Sequence, residues 1–145
     1  MFTHPHTIRL RDTDAAGVLF FSRQLELAHD AYEAWLLEYG PGIAQVVEGR
    51  SYALYIVHAD VDLTAPVKLG DRILVQVRVE KEGSRAYTLA YTFFRDEEGD
   101  SSKVGTARTV HVSVDRASGH AMPLPDEIRA MLGSARDEGS SPSSA

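Results

Sequence analysis

The segment Arg11-Asp12-Thr13-Asp14-Ala15-Ala16-Gly17-Val18-Leu19-Phe20-Phe21 puts two carboxylates one residue apart in a turn-forming stretch. An apolar cluster and a helical run follow it. A carboxylate held beside the N-terminal end of a helix is equipped for chemistry on a carbonyl. The unpaired N–H groups of a first helical turn polarise a carbonyl oxygen, and a neighbouring Asp attacks the carbon or activates water. Residue types alone also allow a plainer outcome, because DTDAAG is good turn composition and would serve to cap an ordinary helix.

The helix that must hold such a site is legible. Ser22 has the hydroxyl of an N-cap. Behind it Leu25, Ala28, Tyr32, Trp35, Leu36 and Tyr39 recur at helical spacing on one face, with Glu26, Asp30 and Glu33 on another. Gly40 and Pro41 give the stop. His29, at the edge of the apolar stripe, reads as a hydrogen-bonded core-edge histidine in preference to a catalytic base, since no partner is identifiable. Trp35 and the tyrosines read as core.

Strand patterns flank the helix. Thr3 to Arg11 alternates with period two, and Ser51–Leu63, Ile73–Glu80, Ala86–Arg95 and Val104–Val114 follow, the last four after a further helical turn at Ile43–Glu48. Gly83-Ser84 and Glu97-Glu98-Gly99-Asp100 suit hairpin loops, and Pro66 to Asp71 another turn. One strand, one long helix and a run of antiparallel strands predict an α+β layout. Asp126 to Leu132 suits a short terminal helix. The Ser-, Gly- and acid-rich residues from Gly133 onward predict a disordered tail over 133–145, leaving one domain over 1–132.

Composition narrows the function. With no cysteine among 145 residues, disulfides, thiolate zinc sites and Cys nucleophiles are excluded. A net charge of -6 argues against nonspecific nucleic-acid binding. No signal pattern or membrane-length apolar run is evident, so the expected setting is the cytoplasm, with no membrane partner. Gly-x-Ser-x-Gly, Walker and dinucleotide glycine patterns are missing. Two histidine-bearing clusters invite a metal: His4 with His6, and His58, Asp60 and Asp62 on one face of a strand. The first lacks a third ligand, and the second has the alternation of any half-solvated strand, so no metal site is expected.

The Asp-Thr-Asp-small-small-Gly loop, the apolar-aromatic cluster and the long helix behind them resemble the signature of the 4-hydroxybenzoyl-CoA thioesterase family of hotdog-fold acyl-CoA hydrolases. His29-Asp30-Ala31-Tyr32-Glu33-Ala34-Trp35-Leu36 looks like the helix of its 1,4-dihydroxy-2-naphthoyl-CoA thioesterase subgroup. Ala65-Pro66-Val67-Lys68-Leu69-Gly70-Asp71 resembles the family's strand-connecting turn, and Met122-Pro123-Leu124-Pro125 its close. The likeness spans roughly residues 6–132.

What the resemblance implies is specific. The fold would be a hotdog, an antiparallel sheet wrapped around one long central helix. Asp14 would be the nucleophile or general base, and the Phe21 backbone N–H the group that polarises the thioester carbonyl. Gly17 would let the loop close, and Asp12 would shape that loop without reacting. Some family members carry His where this chain has Phe21; Phe matches the naphthoyl-CoA subgroup, and Phe20-Phe21 suits a flat aromatic acyl group. Coenzyme A would be part of the substrate, with no retained cofactor, and Lys68, Arg85 or Arg108 are candidate partners for its phosphates. Subunits would pair as a homodimer or homotetramer. The expected substrate is 1,4-dihydroxy-2-naphthoyl-CoA, in menaquinone or phylloquinone biosynthesis. Benzoyl-type or fatty acyl thioesters, on CoA or acyl carrier protein, are the near alternative, and a non-catalytic acyl-thioester-binding protein the further one.

Overall fold

The computed structural model describes residues 1–98 and 100–139. Five antiparallel strands form one sheet: β1 (Thr3–Thr7), β2 (Tyr52–Leu63), β3 (Arg72–Glu82), β4 (Ala86–Glu97) and β5 (Asp100–Asp115). Their order across the sheet is β1-β3-β4-β5-β2, so β1 and β2 are the edges. The helices are α1 (Phe21–Tyr39), α2 (Ile43–Gly49) and α3 (Asp126–Gly139). The fold is the α+β hotdog, with the sheet curled around α1.

Periodicity explains the packing. In β3 the residues Ile73, Val75 and Val77 alternate into the core, and in β4 Tyr87, Leu89, Tyr91 and Phe93 do the same. They meet Leu27, Ala28, Ala31, Tyr32, Trp35 and Leu36 from α1, with Ile128, Met131 and Leu132 of α3 in the same cluster. Burying each large apolar side chain contributes about 1.5–3 kcal/mol, which anchors the middle of α1.

Three local expectations are corrected. The first strand ends at Thr7, short of Arg11: the main chain of Ile8 bonds to Asp71 and Gly70, and Leu10–Asp12 forms a 3-10 turn that leaves Leu10 exposed. The helix begins at Phe21 with Phe20 as its N-cap, so Ser22 lies inside the first turn and caps nothing. The stripe also turns slightly, burying Gln24, Leu27 and Ala31 while Leu25 stays half-buried.

At the other end, α3 continues past Leu132 to Gly139. Arg129 and Arg136 both reach Glu82 at the end of β3, and Ala135 packs on the core, which carries the helix over residues whose composition predicted a tail. Residues 140–145 of that expected tail, and Gly99 of the expected hairpin loop, lie outside the described residues. No helix among the described residues is long and apolar enough to cross a membrane.

Candidate active site

Asp14 sits at the turn of a loop that folds back on itself. Its N–H donates to the Val18 carbonyl at 3.0 Å, its own carbonyl accepts from Gly17 at 3.0 Å, and a bridge pairs Thr13 with Leu19. The carboxylate oxygen Oδ1 accepts the Ala16 N–H at 2.8 Å, a local Asx turn that leaves the group exposed. Gly17 makes the reversal with φ of +76°, the left-handed region in which a side chain is strained. A Cβ there would meet nothing, so the backbone angle alone demands glycine.

Asp12 has the opposite environment. It is fully buried, and its Oδ2 lies 2.9 Å from both the Arg9 N–H and His6 Nε2, while Oδ1 accepts from Arg23 Nη2 at 2.8 Å. Burial raises the pKa of this carboxyl, but the Arg9 N–H, His6 and Arg23 together outweigh that and hold it at about 2. It is therefore a fixed anion inside the loop, available to no substrate.

The return arm delivers the helix. Leu19 N–H donates to Val67, Phe20 N–H to the Asp12 carbonyl, and α1 starts at the next residue. Its N-cap makes no side-chain hydrogen bond, and its first turn carries no acidic residue. The N–H of Phe21 is the first of the helix, where no intrahelical partner exists. Asp14 and Phe21 thus belong to the two arms of one closed loop. Phe20 and Phe21 are 44% and 61% exposed, with ring centroids 4.9 Å apart, so neither is core.

From this first turn a groove of about 580 Å³ runs between α1 and the edge strand β2. Leu25, Ile56 and Ala59 line it, with Ser22, Glu26 and His29 among its polar walls and Thr109 of β5 in contact with it. His29 is therefore half-exposed on a groove wall, 3.7 Å from Glu33, and not the core-edge histidine its spacing suggested. Periodicity did not single out Arg23 or Thr109, whose roles depend on partners distant in sequence.

Of the three candidate phosphate partners, Arg108 is engaged by Glu80 at 2.7 Å, and Arg85 lies in the β3–β4 turn, at the far end of that strand pair from the Asp14 loop. Lys68 pairs with Val18 beside that loop. On β2, His58 and Asp60 bond to each other at 3.1 Å, and no group of three potential ligands is placed to hold a metal among the described residues.

Comparison with known proteins gives a consistent picture. A profile for the thioesterase-like superfamily matches residues 8–132. A 1,4-dihydroxy-2-naphthoyl-CoA hydrolase from Picosynechococcus is 33% identical over 133 residues, covering 90% of this chain and 91% of its own length. Its counterpart from Nostoc punctiforme is 36% identical over 127 residues, covering 88% and 83%. The crystal structure of a 1,4-dihydroxy-2-naphthoyl-CoA thioesterase from Synechocystis superposes with a TM-score of 0.83 at 30% identity, over 91% of this chain and 95% of that one.

Proposed function

This chain belongs to the thioesterase-like superfamily, and from that premise we propose that it hydrolyses an aromatic acyl-CoA, foremost 1,4-dihydroxy-2-naphthoyl-CoA, to the free acid and coenzyme A. The role is that of a quinone-pathway enzyme, in menaquinone or phylloquinone biosynthesis. The observation that carries the reading is the closed loop of Asp14 against an uncapped helix start, at the end of a groove with apolar walls.

The chemistry follows from that arrangement. Oxygen is delivered to the thioester carbon either by the Asp14 carboxylate itself or by a water whose proton Asp14 accepts. The carbonyl electron pair moves onto oxygen, where the Phe21 N–H and the aligned peptide dipoles of α1 stabilise it. When the pair returns, the carbon–sulfur bond breaks, and the thiolate leaves as coenzyme A after taking up a proton. In the first route a mixed anhydride of Asp14 remains, and water hydrolyses it to restore the carboxylate.

The acyl ring occupies the groove below the first turn, where Leu25, Ile56 and Ala59 offer apolar contact. The working assembly is a cytoplasmic homodimer or homotetramer. Its support is β2, an edge strand of 12 residues that exposes Tyr55, Ile56 and Val57. An uncovered apolar edge of that length is a template for a second copy.

The test is thiol release from a panel of aromatic and aliphatic acyl-CoAs by wild type and Asp14→Asn. Preferential turnover of the naphthoyl substrate, lost by ~100-fold or more in the variant, is the expected result. Faster turnover of aliphatic substrates would remove the pathway assignment, and no turnover of any thioester by folded protein would remove the enzymatic one.

A further inference from the structure

Asp14 is held only by bonds inside its own turn, to Ala16, Gly17 and Val18. Nothing in that set relates its carboxylate to the helix. The return arm of the loop is fixed independently, because Leu19 N–H bonds to Val67 and Leu69 N–H to Gly17. The arm that bears Asp14 pairs with the return arm at Thr13 and Leu19, and its tie to the start of the helix lies two residues before Asp14, at Asp12. The Asp12 carbonyl accepts the Phe20 N–H at 3.0 Å, one residue before the Phe21 N–H assigned above to the carbonyl oxygen. Its carboxylate takes Arg23 Nε and Nη2 from the first turn of α1 at 3.2 and 2.8 Å, and on its other oxygen the Arg9 N–H and His6 of β1.

We propose that Asp12 is the positioning residue of this site, a buried anion that locks the Asp14 arm to the first turn of α1 through Arg23 and so sets how the carboxylate meets the Phe21 N–H. The inference rests on the thioesterase reading above. Both carboxylate oxygens are engaged from different sides, which fixes the orientation of the group as well as its place. Arg23 also pairs with Glu26 within the helix, so the anchor belongs to α1.

Asparagine is the discriminating replacement. It has the shape of aspartate but one accepting oxygen, and its amide would face either Arg23 or the Arg9 N–H, donor against donor. One side of the lock must open. A misplacement of about 1 Å between reacting groups is enough to lower a rate ~100-fold, whereas the apolar contacts along the groove, from Leu25, Ile56 and Ala59, do not pass through the lock, although Arg23 also touches the groove.

The experiment compares wild type, Asp12→Asn, Arg23→Gln, Arg23→Lys and Asp14→Asn by steady-state kinetics, by binding of an unreactive thioether analogue of the acyl-CoA, and by thermal unfolding. The expected pattern is kcat down by about 30-fold in Asp12→Asn and about 10-fold in Arg23→Gln, with analogue affinity within about threefold of wild type. Arg23→Lys, which keeps a charged donor, recovers most of the loss. Should Asp12→Asn fail to fold, Arg23→Gln decides, because Arg23 is part-exposed and its loss leaves Asp12 its other two partners. Wild-type kcat in the folded Asp12 and Arg23 variants while Asp14→Asn is inactive overturns the lock and leaves the enzymatic reading standing. So does a rise in KM with kcat unchanged. Wild-type activity in Asp14→Asn overturns both.

Discussion

The entrance and the middle of α1 are built on opposite terms. At the entrance the N-cap is a phenylalanine with no capping bond, two aromatic rings face outward, and Asp14 stands exposed. Halfway along, Tyr32 and Trp35 are buried, and Tyr32 meets Tyr87 of β4 and His111 of β5. There His111 stacks on Tyr87 with centroids 4.8 Å apart and lies 4.3 Å from Tyr32, and its Nε2 is 2.7 Å from Thr109, which also meets Tyr91. The entrance forgoes a cap worth about 1 kcal/mol and leaves N–H groups open. The middle supplies the packing that lets the helix stay in place regardless. At the entrance a local rule is broken where chemistry needs unpaired groups.

The sharpest way to break this contrast is to mutate one residue in each region. Trp35→Ala is expected to remove about 3–5 kcal/mol of stability by opening a cavity, with kcat per folded molecule unchanged. Asp14→Asn should do the reverse, losing ~100-fold in kcat while stability moves by less than about 0.5 kcal/mol, as for exposed surface sites. Denaturant unfolding and active-site-normalised rates measure both. A stability loss in Asp14→Asn comparable to that of Trp35→Ala would erase the distinction.

Acid should find the middle before the entrance. Burial, reinforced by His29, lowers the His111 pKa to about 3. Unfolded His111 binds its proton near pH 6.5, so the unfolded state gains protons first, and stability that is complete above that value falls as pH drops toward 3. The expected loss is about 3 kcal/mol by pH 4, and it should vanish in His111→Leu. Asp12, held at about 2, adds stability above its unfolded value near 4 and loses it progressively as pH falls from there through about 2. Urea titrations at a series of pH values would separate the two windows; identical acid slopes in wild type and His111→Leu would exclude His111 as the source.

Tyr87→Phe is a gentler probe of the same core. It leaves the Tyr32 hydroxyl, 2.9 Å from its partner, buried and unpaired, which should cost about 1–2 kcal/mol without touching kcat.

How much of this was readable beforehand differs between the two regions. The stripe of Ala28, Tyr32, Trp35 and Leu36 and the alternation in β3 and β4 announce the core, because burial and period are local properties of the chain. The entrance is not local. Ser22 looks like a cap, yet the bonds of Leu19 to Val67 and of Phe20 to Asp12 start the helix earlier. Two identical acids one residue apart carry no mark of which one turns inward; that is decided by His6 on β1 and Arg23 on α1. The buried Gln24, which donates to the Asp62 and Thr106 carbonyls, is equally silent in sequence because both partners lie on other strands.

The last prediction tests whether the missing cap is part of the function. Phe20→Asp adds a carboxylate at the N-cap of α1, where it can accept a first-turn N–H and complement the helix dipole. Phe20 is already half out of the core, so little packing is lost. Stability should rise by about 1 kcal/mol, seen as a higher Tm. The same negative charge opposes the oxyanion forming at the Phe21 N–H, so kcat should fall by ~5-fold, with Phe20→Ala as the control for loss of the ring. A variant that gains stability and keeps its rate would mean the uncapped start of α1 is incidental. Opposite changes in the two quantities would mean that α1 is left uncapped because the substrate supplies the missing acceptor.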